Sequence, residues 1–398
     1  MNREDFPMLN SGLVYFDNAA TSLKPLSVVE KQVDYYTKHT SNIHRGEYEA
    51  AIKTNQLYDE VRLLVRDFIG AKKLNEIIYT TGTTMSINQV VMGFMKKKLK
   101  KGDTVLITKA EHASNVLPWF VLAREIGIKV EYIDLDENYE LTLSNIEKKI
   151  DETTKVISIA HISNVIGDIR DVESIGKLCK KKGIYFVVDG AQSVSHIPIN
   201  VETSNIDFFA FSAHKMLGPT GVGILYGKSH LLEEMDPLLY GGGMNQSFES
   251  DGNFELKSSP LKFEAGTPPI AEVIGLGEAI RYIENIGVEK IQEHERRLKK
   301  YFISELEKLD HIAIYNKNSG SGIVLFNVDG VFSQDVSVYL NHHNICIRSG
   351  NHCTKMLTSD MPIKNTCRAS LHLYNTIEDI DKMVKALKNS KDIFDIIL

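Results

Sequence analysis

Cysteine is scarce in this chain: Cys179, Cys346, Cys353 and Cys367 are the four among 398 residues. So few, so far apart, make no disulfide framework. A proline-rich linker, an internal repeat and a low-complexity tract are all missing. Excess positive charge is missing too: 46 basic residues face 52 acidic ones, a formal charge of −6. That balance argues against nucleic acid as the main partner, because phosphate binding leaves a basic surface. No run approaches the ~18 apolar residues of a membrane span. The opening Met1-Asn2-Arg3-Glu4-Asp5-Phe6-Pro7 has no apolar h-region, so no signal peptide and no membrane are expected and the location expected is cytoplasmic.

What is present is a globular pattern. Hydrophobic residues make up 43% and charged ones 25%, with both signs mixed throughout, which excludes a disordered chain. The length predicts two or three units with a large core. Between residues 76 and 226, short apolar runs at 76–79, 104–107, 156–160, 184–188 and 208–211 alternate with helical stretches. The runs are β-branched and aromatic, and apolar throughout rather than alternating, as strands covered on both faces of a mostly parallel sheet are. Ile87, Val90, Val91, Phe94 and Met95 fall at helical spacing between the first two runs. The lysine runs at 96–101 and 180–182 each close a predicted helix, where cations complement the dipole. A doubly wound α/β unit over 15–270 is expected.

After residue 270 the texture changes. Residues 272–310 read as helix, with a charged, solvated stretch at 293–300. Strand-like runs at 323–328 and 345–347, a helix near 334–342 and an amphipathic helix from about 376 follow. The expectation is a smaller α+β unit over 271–398, with residues 1–14 packing on it and a long helix bridging the two parts.

The residues that can carry chemistry cluster at strand ends. Asp189 closes a buried run, where a carboxylate is either a helix cap or a ligand contact. Lys215 follows the next run within Ser212-Ala213-His214-Lys215. A lysine and a carboxylate at neighbouring strand ends suit pyridoxal 5′-phosphate, which needs an amine for its aldehyde and an acid for its ring nitrogen. Gly82-Thr83-Thr84 opens a helix and offers N–H groups and hydroxyls to a phosphate; Ser212 and His214 complete such a cradle. His112 can stack on a pyridine ring, and Asn164 and Gln192 can reach its oxygen. Alone, a loop lysine is a solvated charge, a histidine a structural group and Gly-Thr-Thr an ordinary cap; the case rests on their occurring together. Cys353, on Arg348-Ser349-Gly350-Asn351-His352-Cys353, sits where a thiolate is favoured. The other three cysteines lie in apolar patterns and should pack. Arg368 can fork onto a carboxylate. A zinc site from His342, His343, Cys346, His352 and Cys353 is the rival, but CxxC and HxxxH spacings are lacking, and no metal is expected.

These motifs, in order, resemble a known family. Tyr15-Phe16-Asp17-Asn18-Ala19-Ala20, Ile43-His44-Arg45-Gly46, Gly82-Thr83-Thr84, Glu111-His112-Ala113-Ser114-Asn115, Ser163-Asn164, Val188-Asp189-Gly190-Ala191-Gln192, Phe211-Ser212-Ala213-His214-Lys215, Gly241-Gly242-Gly243, Glu264-Ala265-Gly266-Thr267, the 348–353 loop and Cys367-Arg368-Ala369-Ser370 span nearly the whole chain. Together they resemble fold-type I pyridoxal-phosphate enzymes of the class V aminotransferase group, and within it the SufS-type (group II) cysteine desulfurases. The resemblance implies a mostly parallel seven-stranded sheet in the large unit. It also implies that L-cysteine becomes L-alanine, with sulfur held as a persulfide on Cys353 and passed to a SufE-like or SufU-like acceptor for iron–sulfur cluster assembly. By the same similarity Lys215 holds the cofactor and removes the substrate Cα proton, Asp189 pairs with the ring nitrogen, His112 stacks, and Asn164 and Gln192 contact the ring oxygen. Thr83, Thr84, Ser212 and His214 hold phosphate, and Thr267 from a neighbouring subunit completes that site, which implies a homodimer. Arg368 and Asn164 hold the substrate carboxylate, while His44, Arg348 and His352 line the thiol side. Selenocysteine lyase, or another β-lyase of the family, is the alternative; kynureninase needs no nucleophilic cysteine. Ser349 and Asn351 stand where relatives commonly have Thr and His, and Met85-Ser86 where they often have Glu-Gly.

Overall fold

A computed structural model describes residues 2–357, 365–389 and 393 of the chain. The last part of the expected second unit, 390–392 and 394–398, lies outside the described residues. After a short strand β1 (Val14–Tyr15), the five apolar runs become β2 (Ile77–Thr80), β3 (Thr104–Thr108), β5 (Thr154–Ala160), β6 (Tyr185–Asp189) and β7 (Phe208–Ser212), and two strands not named from the sequence, β4 (Lys129–Ile133) and β8 (Gly223–Gly227), join them. They form one seven-stranded sheet in the order β2-β8-β7-β6-β5-β3-β4. Only β8 runs against the others.

The apolar character of these strands has a direct cause. Successive side chains point to opposite faces, and both faces are covered. Leu106, Ile157, Val188, Phe209 and Phe211 enter one apolar cluster, whereas Val105, Ile107, Val156, Val187, Phe208 and Ala210 enter another. The helix carrying Ile87 covers the second face. It begins as α-helix at Thr83–Asn88 and widens to π-helix over Gln89–Met95, a local unwinding that helical periodicity does not reveal.

After the β9 (Asn245–Phe248) and β10 (Phe254–Leu256) hairpin, the Ile270–Ile286 and Val288–Leu306 helices replace the single long helix expected. Gly287, at φ +92°, separates them, a backbone setting that glycine adopts without strain. Ile270–Ile286 feeds the core under the large sheet, and Val288–Leu306 turns Leu298, Phe302 and Leu306 into a second core. That core lies on a four-stranded antiparallel sheet of order β11-β12-β15-β14. Its strands are β11 (Ile312–Ile314), β12 (Ile323–Val328), β14 (Arg348–Gly350) and β15 (Thr366–Ser370); β13 (Ile345–Cys346) instead pairs with β1. The N-terminal stretch touches both cores. Val14 and Phe16 join the second, and Phe6 packs on Tyr282 and Tyr374 in the first. Among the described residues no helix is long and apolar enough to cross a membrane.

One buried ion pair ties the Glu49–Phe68 helix to the sheet. Arg62 makes two 2.9 Å bonds to Glu264, whose Oε1 also accepts the Tyr79 N–H at 2.9 Å. Both side chains are under 10% exposed. Removing one partner strands the other charge, so Glu264→Ala should cost about 3–5 kcal/mol. A denaturant titration showing an unchanged midpoint would refute this.

Candidate active site

The carboxyl ends of β5, β6 and β7 lie side by side, with Ala160, Asp189 and Ala210 in register. Beyond them is a cavity of about 200 Å³. Asp189, the last residue of β6, lines it and accepts the Ala191 N–H at 2.9 Å. Lys215 enters from the turn after β7. Burial pulls the Lys215 amine down to about 8; Asp189 opposes that shift, and Arg368 and Arg348 add to it. Burial pushes Asp189 up to about 6. Each needs an ionic partner, and each faces the same space.

His112 lines another wall. The Ser114 N–H donates to its Nδ1 at 3.2 Å, so the ring hydrogen sits on Nε2. Burial, then the charges of Lys215, Arg348 and Arg368, pull this imidazole down to about 4; it is a neutral, flat group. The Thr83–Asn88 helix points its start at the cavity. The Thr83 N–H and hydroxyl both meet Ser212 Oγ at 2.8 Å, and Thr84 meets Ser114 Oγ at 2.7 Å. At Gly82, φ +147°, a Cβ would press on Ser212 Oγ at 3.1 Å. Only glycine leaves that hydroxyl cradle open.

The third wall comes from the smaller sheet. Arg348 on β14 and Arg368 on β15 stand directly opposite each other. Like charges in that register repel, and Asp17, 3.3 Å from Arg368, is the carboxylate between them and neutrality. Arg368 is 1% exposed, donates to the Asn164 carbonyl at 2.8 Å and leaves its Nε without a partner. The surplus positive charge is a seat for a small carboxylate. Arg348 also reaches Cys353 Sγ at 3.4 Å.

Cys353 is exposed, unlike Cys179 and Cys367, which are buried; Cys346 is half-buried. Its loop is held open: His352 and Cys353 both adopt positive φ, +51° and +59°, and the Cys353 carbonyl accepts the Ala113 N–H at 2.9 Å. Asn351 takes the Cys353 N–H on its Oδ1 at 3.3 Å. Ser349 pairs with Cys367 in the sheet. Ser86 fastens the helix to β8 through the Ile224 carbonyl.

A scan of the chain matches the model for aminotransferase class V over residues 14–383. The chain belongs to the class V aminotransferase family. Within that family its similar relatives are named cysteine desulfurases. A probable cysteine desulfurase of Halalkalibacterium halodurans is 41% identical over 98% of this chain and 97% of its own. A cysteine desulfurase of Haloferax volcanii is 40% identical over 96% and 90%. Among solved structures, the apo cysteine desulfurase of Thermococcus onnurineus NA1 superposes with a TM-score of 0.93 at 41% identity, over 97% of this chain and 96% of that one. The S-sulfonic acid form of the cysteine desulfurase CsdA from Escherichia coli gives 0.93 at 34%, over 98% of both. This chain is thus one of the family's pyridoxal-phosphate-dependent cysteine desulfurases, with the fold-type I architecture.

The family's cofactor fits the cavity: a buried amine, a carboxylate in need of a cation, a flat neutral ring and a hydroxyl-lined helix start surround one space. Eleven of the residues singled out in the sequence line it: Thr83, Thr84, His112, Asn164, Asp189, Gln192, Ser212, His214, Lys215, Arg348 and Arg368. Four do not. Cys353 stands at its rim through Arg348. His352, expected on the thiol side, is 2% exposed and turns its Nε2 to Thr366; its backbone carbonyl, bound by Asn164 at 2.8 Å, is what faces that way. His44 and Thr267 line a separate hollow of about 620 Å³ with Arg45 and Gly242. Within one chain they are apart from Lys215. The sequence reading missed Ser114, which bonds both Thr84 and His112, and Asp17 beside Arg368. A serine in a loop and an aspartate before a turn carry no signal by themselves. Among the described residues the ligand-type groups that converge are His196, Glu295 and His372, outside the 342–353 stretch of the zinc alternative.

Proposed function

We propose that the protein converts L-cysteine to L-alanine and keeps the sulfur as a persulfide on Cys353, from which an acceptor protein of SufE-like or SufU-like type takes it for iron–sulfur cluster assembly in the cytoplasm. The observation that carries this reading is the cavity in which Lys215 and Asp189 face two guanidiniums, one of them 3.4 Å from an exposed thiol. Pyridoxal 5′-phosphate, when bound, supplies the electron sink for the bond broken at the substrate Cα. Thr83, Thr84, Ser212 and His214 would hold its phosphate, Asp189 its ring nitrogen and His112 its face, with Asn164 and Gln192 at its oxygen.

The chain's own groups do the rest. Arg368 and Asn164 seat the substrate carboxylate. Lys215, with an amine near 8, is the base that takes the Cα proton. The Cys353 thiolate attacks the substrate sulfur; an S–S bond forms as the C–S bond breaks. The electron pair stays with the substrate carbon, which takes a proton, and alanine leaves. No outside oxidant is needed. The placement of His44 and Thr267 in a hollow away from Lys215 supports a homodimer, in which a second copy presents them to this cavity. The division into a large unit over 15–270 and a small one over 271–398 is part of the same reading; the presence of two cores supports a division, although the Ile270–Ile286 helix packs in the first core and Phe16 in the second.

The deciding experiment records the absorbance spectrum before and after adding L-cysteine and assays alanine. The expected result is a visible band from bound cofactor, alanine release, and one added sulfur on the peptide containing Cys353. Alanine release with no sulfur on that peptide would overturn the persulfide step. Turnover of selenocysteine without turnover of cysteine would turn the reading into a selenocysteine lyase.

A further inference from the structure

Glu111 and Arg170 carry formal charges on side chains with 0% exposure each, and no step above uses them. The Glu111 carboxylate accepts from Arg170 Nη1, from Thr108 Oγ1 at 2.6 Å, from Asn115 Nδ2 at 3.0 Å and from the Ala160 N–H at 2.6 Å. Arg170 donates further to Asp168 at 3.1 Å, to the Ala160 carbonyl at 3.1 Å and to Thr108 at 3.2 Å. Stability alone does not account for such a group, since a buried ion pair replaced by apolar side chains is often neutral or better.

Its place in the fold suggests a different role. Glu111 is the residue before His112, on the loop leaving β3. Ala160, gripped by both charges, lines the cavity and stands in register with Asp189. The next residue along, His161, donates its N–H to the Asp189 carbonyl at 2.8 Å and accepts the Arg170 N–H at 3.0 Å. One pair therefore holds the backbone on both sides of the cofactor space. With Asp168 it leaves one formal net negative charge behind that space, buried away from the solvent that would screen it. We propose that Glu111 and Arg170 are positioning residues of the cofactor site: their buried pair fixes the strand ends from which His112 and Asp189 face the cavity and sets the charge felt there. This rests on the reading of the cavity given above.

The groups facing the cavity are Asp189, Lys215, Arg348, Arg368, His112 and His214; the pair acts on them from behind. Burial is the main cause of the raised Asp189 carboxyl, with Lys215 pulling down, Glu111 pushing up and Arg170 pulling down. Opposite charges therefore predict opposite effects. The holoenzyme is made as Glu111→Gln and as Arg170→Gln, and the visible absorbance of bound cofactor is titrated with pH. Glu111→Gln should lower the midpoint and Arg170→Gln raise it, each by about 1 pH unit. Both should lose kcat by roughly tenfold with little change in KM for cysteine, since neither touches substrate. Midpoints that stay put, or move the same way, overturn the proposal. Should either variant fail to fold, Asp168→Asn removes one charge from the same network and must lower the midpoint; no shift there overturns it as well. A wild-type protein that takes up no chromophore would instead overturn the reading of the cavity itself.

Discussion

Lys215→Ala should give a folded protein that shows no visible band of covalently held cofactor and whose alanine release from L-cysteine falls by at least about 10³-fold. The size follows from the two tasks placed on one amine: it holds the cofactor and it moves the Cα proton. Burial has already weakened its hold on its own proton, to about 8, so part of it is an uncharged base at neutral pH. Removing it also leaves the Asp189 carboxylate without the cation that opposes its upward shift. The fold should survive, because the turn at Ala213–Lys215 is held by backbone bonds, among them the Gly218 N–H to the Ala213 carbonyl at 2.9 Å. Near-normal alanine release would mean that another residue is the base.

Cys353→Ala should do something different. The residue is exposed and packs against no core, so stability should change by less than about 0.5 kcal/mol, and cofactor uptake should be that of the wild type. Alanine release and persulfide formation should both fall by roughly three orders of magnitude. Alanine replaces cysteine without adding backbone strain, since any side chain at φ +59° bears the same penalty. The comparison of the two variants separates the roles: one protein without colour, one with colour and no sulfur transfer. If Cys353→Ala released alanine at the wild-type rate, the thiol would not be the sulfur's first stop.

Much of this architecture could be read from composition and spacing. Strands buried on both faces show as short apolar runs, and the five runs named from the sequence all fell within strands of the large sheet, apart from a residue at an end. Asp189 and Lys215 were legible because strand ends are where ligands sit in such sheets. Three things were not. Gly287 ends a helix that periodicity alone carries straight through. His352 sits next to the nucleophile in sequence, yet it adopts a positive φ and its ring faces Thr366, and outside glycine backbone handedness leaves only a weak trace in residue type, at Asn, Asp and His. The Glu111–Arg170 pair joins residues 59 apart in sequence, and no local pattern marks which buried charges will meet.

The first strand has a consequence for how the chain is made. Val14 and Tyr15 find their partners at Ile345 and Cys346, and the Phe16 carbonyl is bound by the Ser370 N–H at 2.7 Å. A ribosome adding ~5–20 residues per second must therefore work for some tens of seconds before the opening segment has anything to pair with. Until then Val14, Tyr15 and Phe16 lack their strand partners, open to whatever chaperone or neighbouring nascent chain binds extended apolar segments. Completion of this part of the fold is thus delayed until the chain has been made through Ser370, whatever the large sheet has achieved by then.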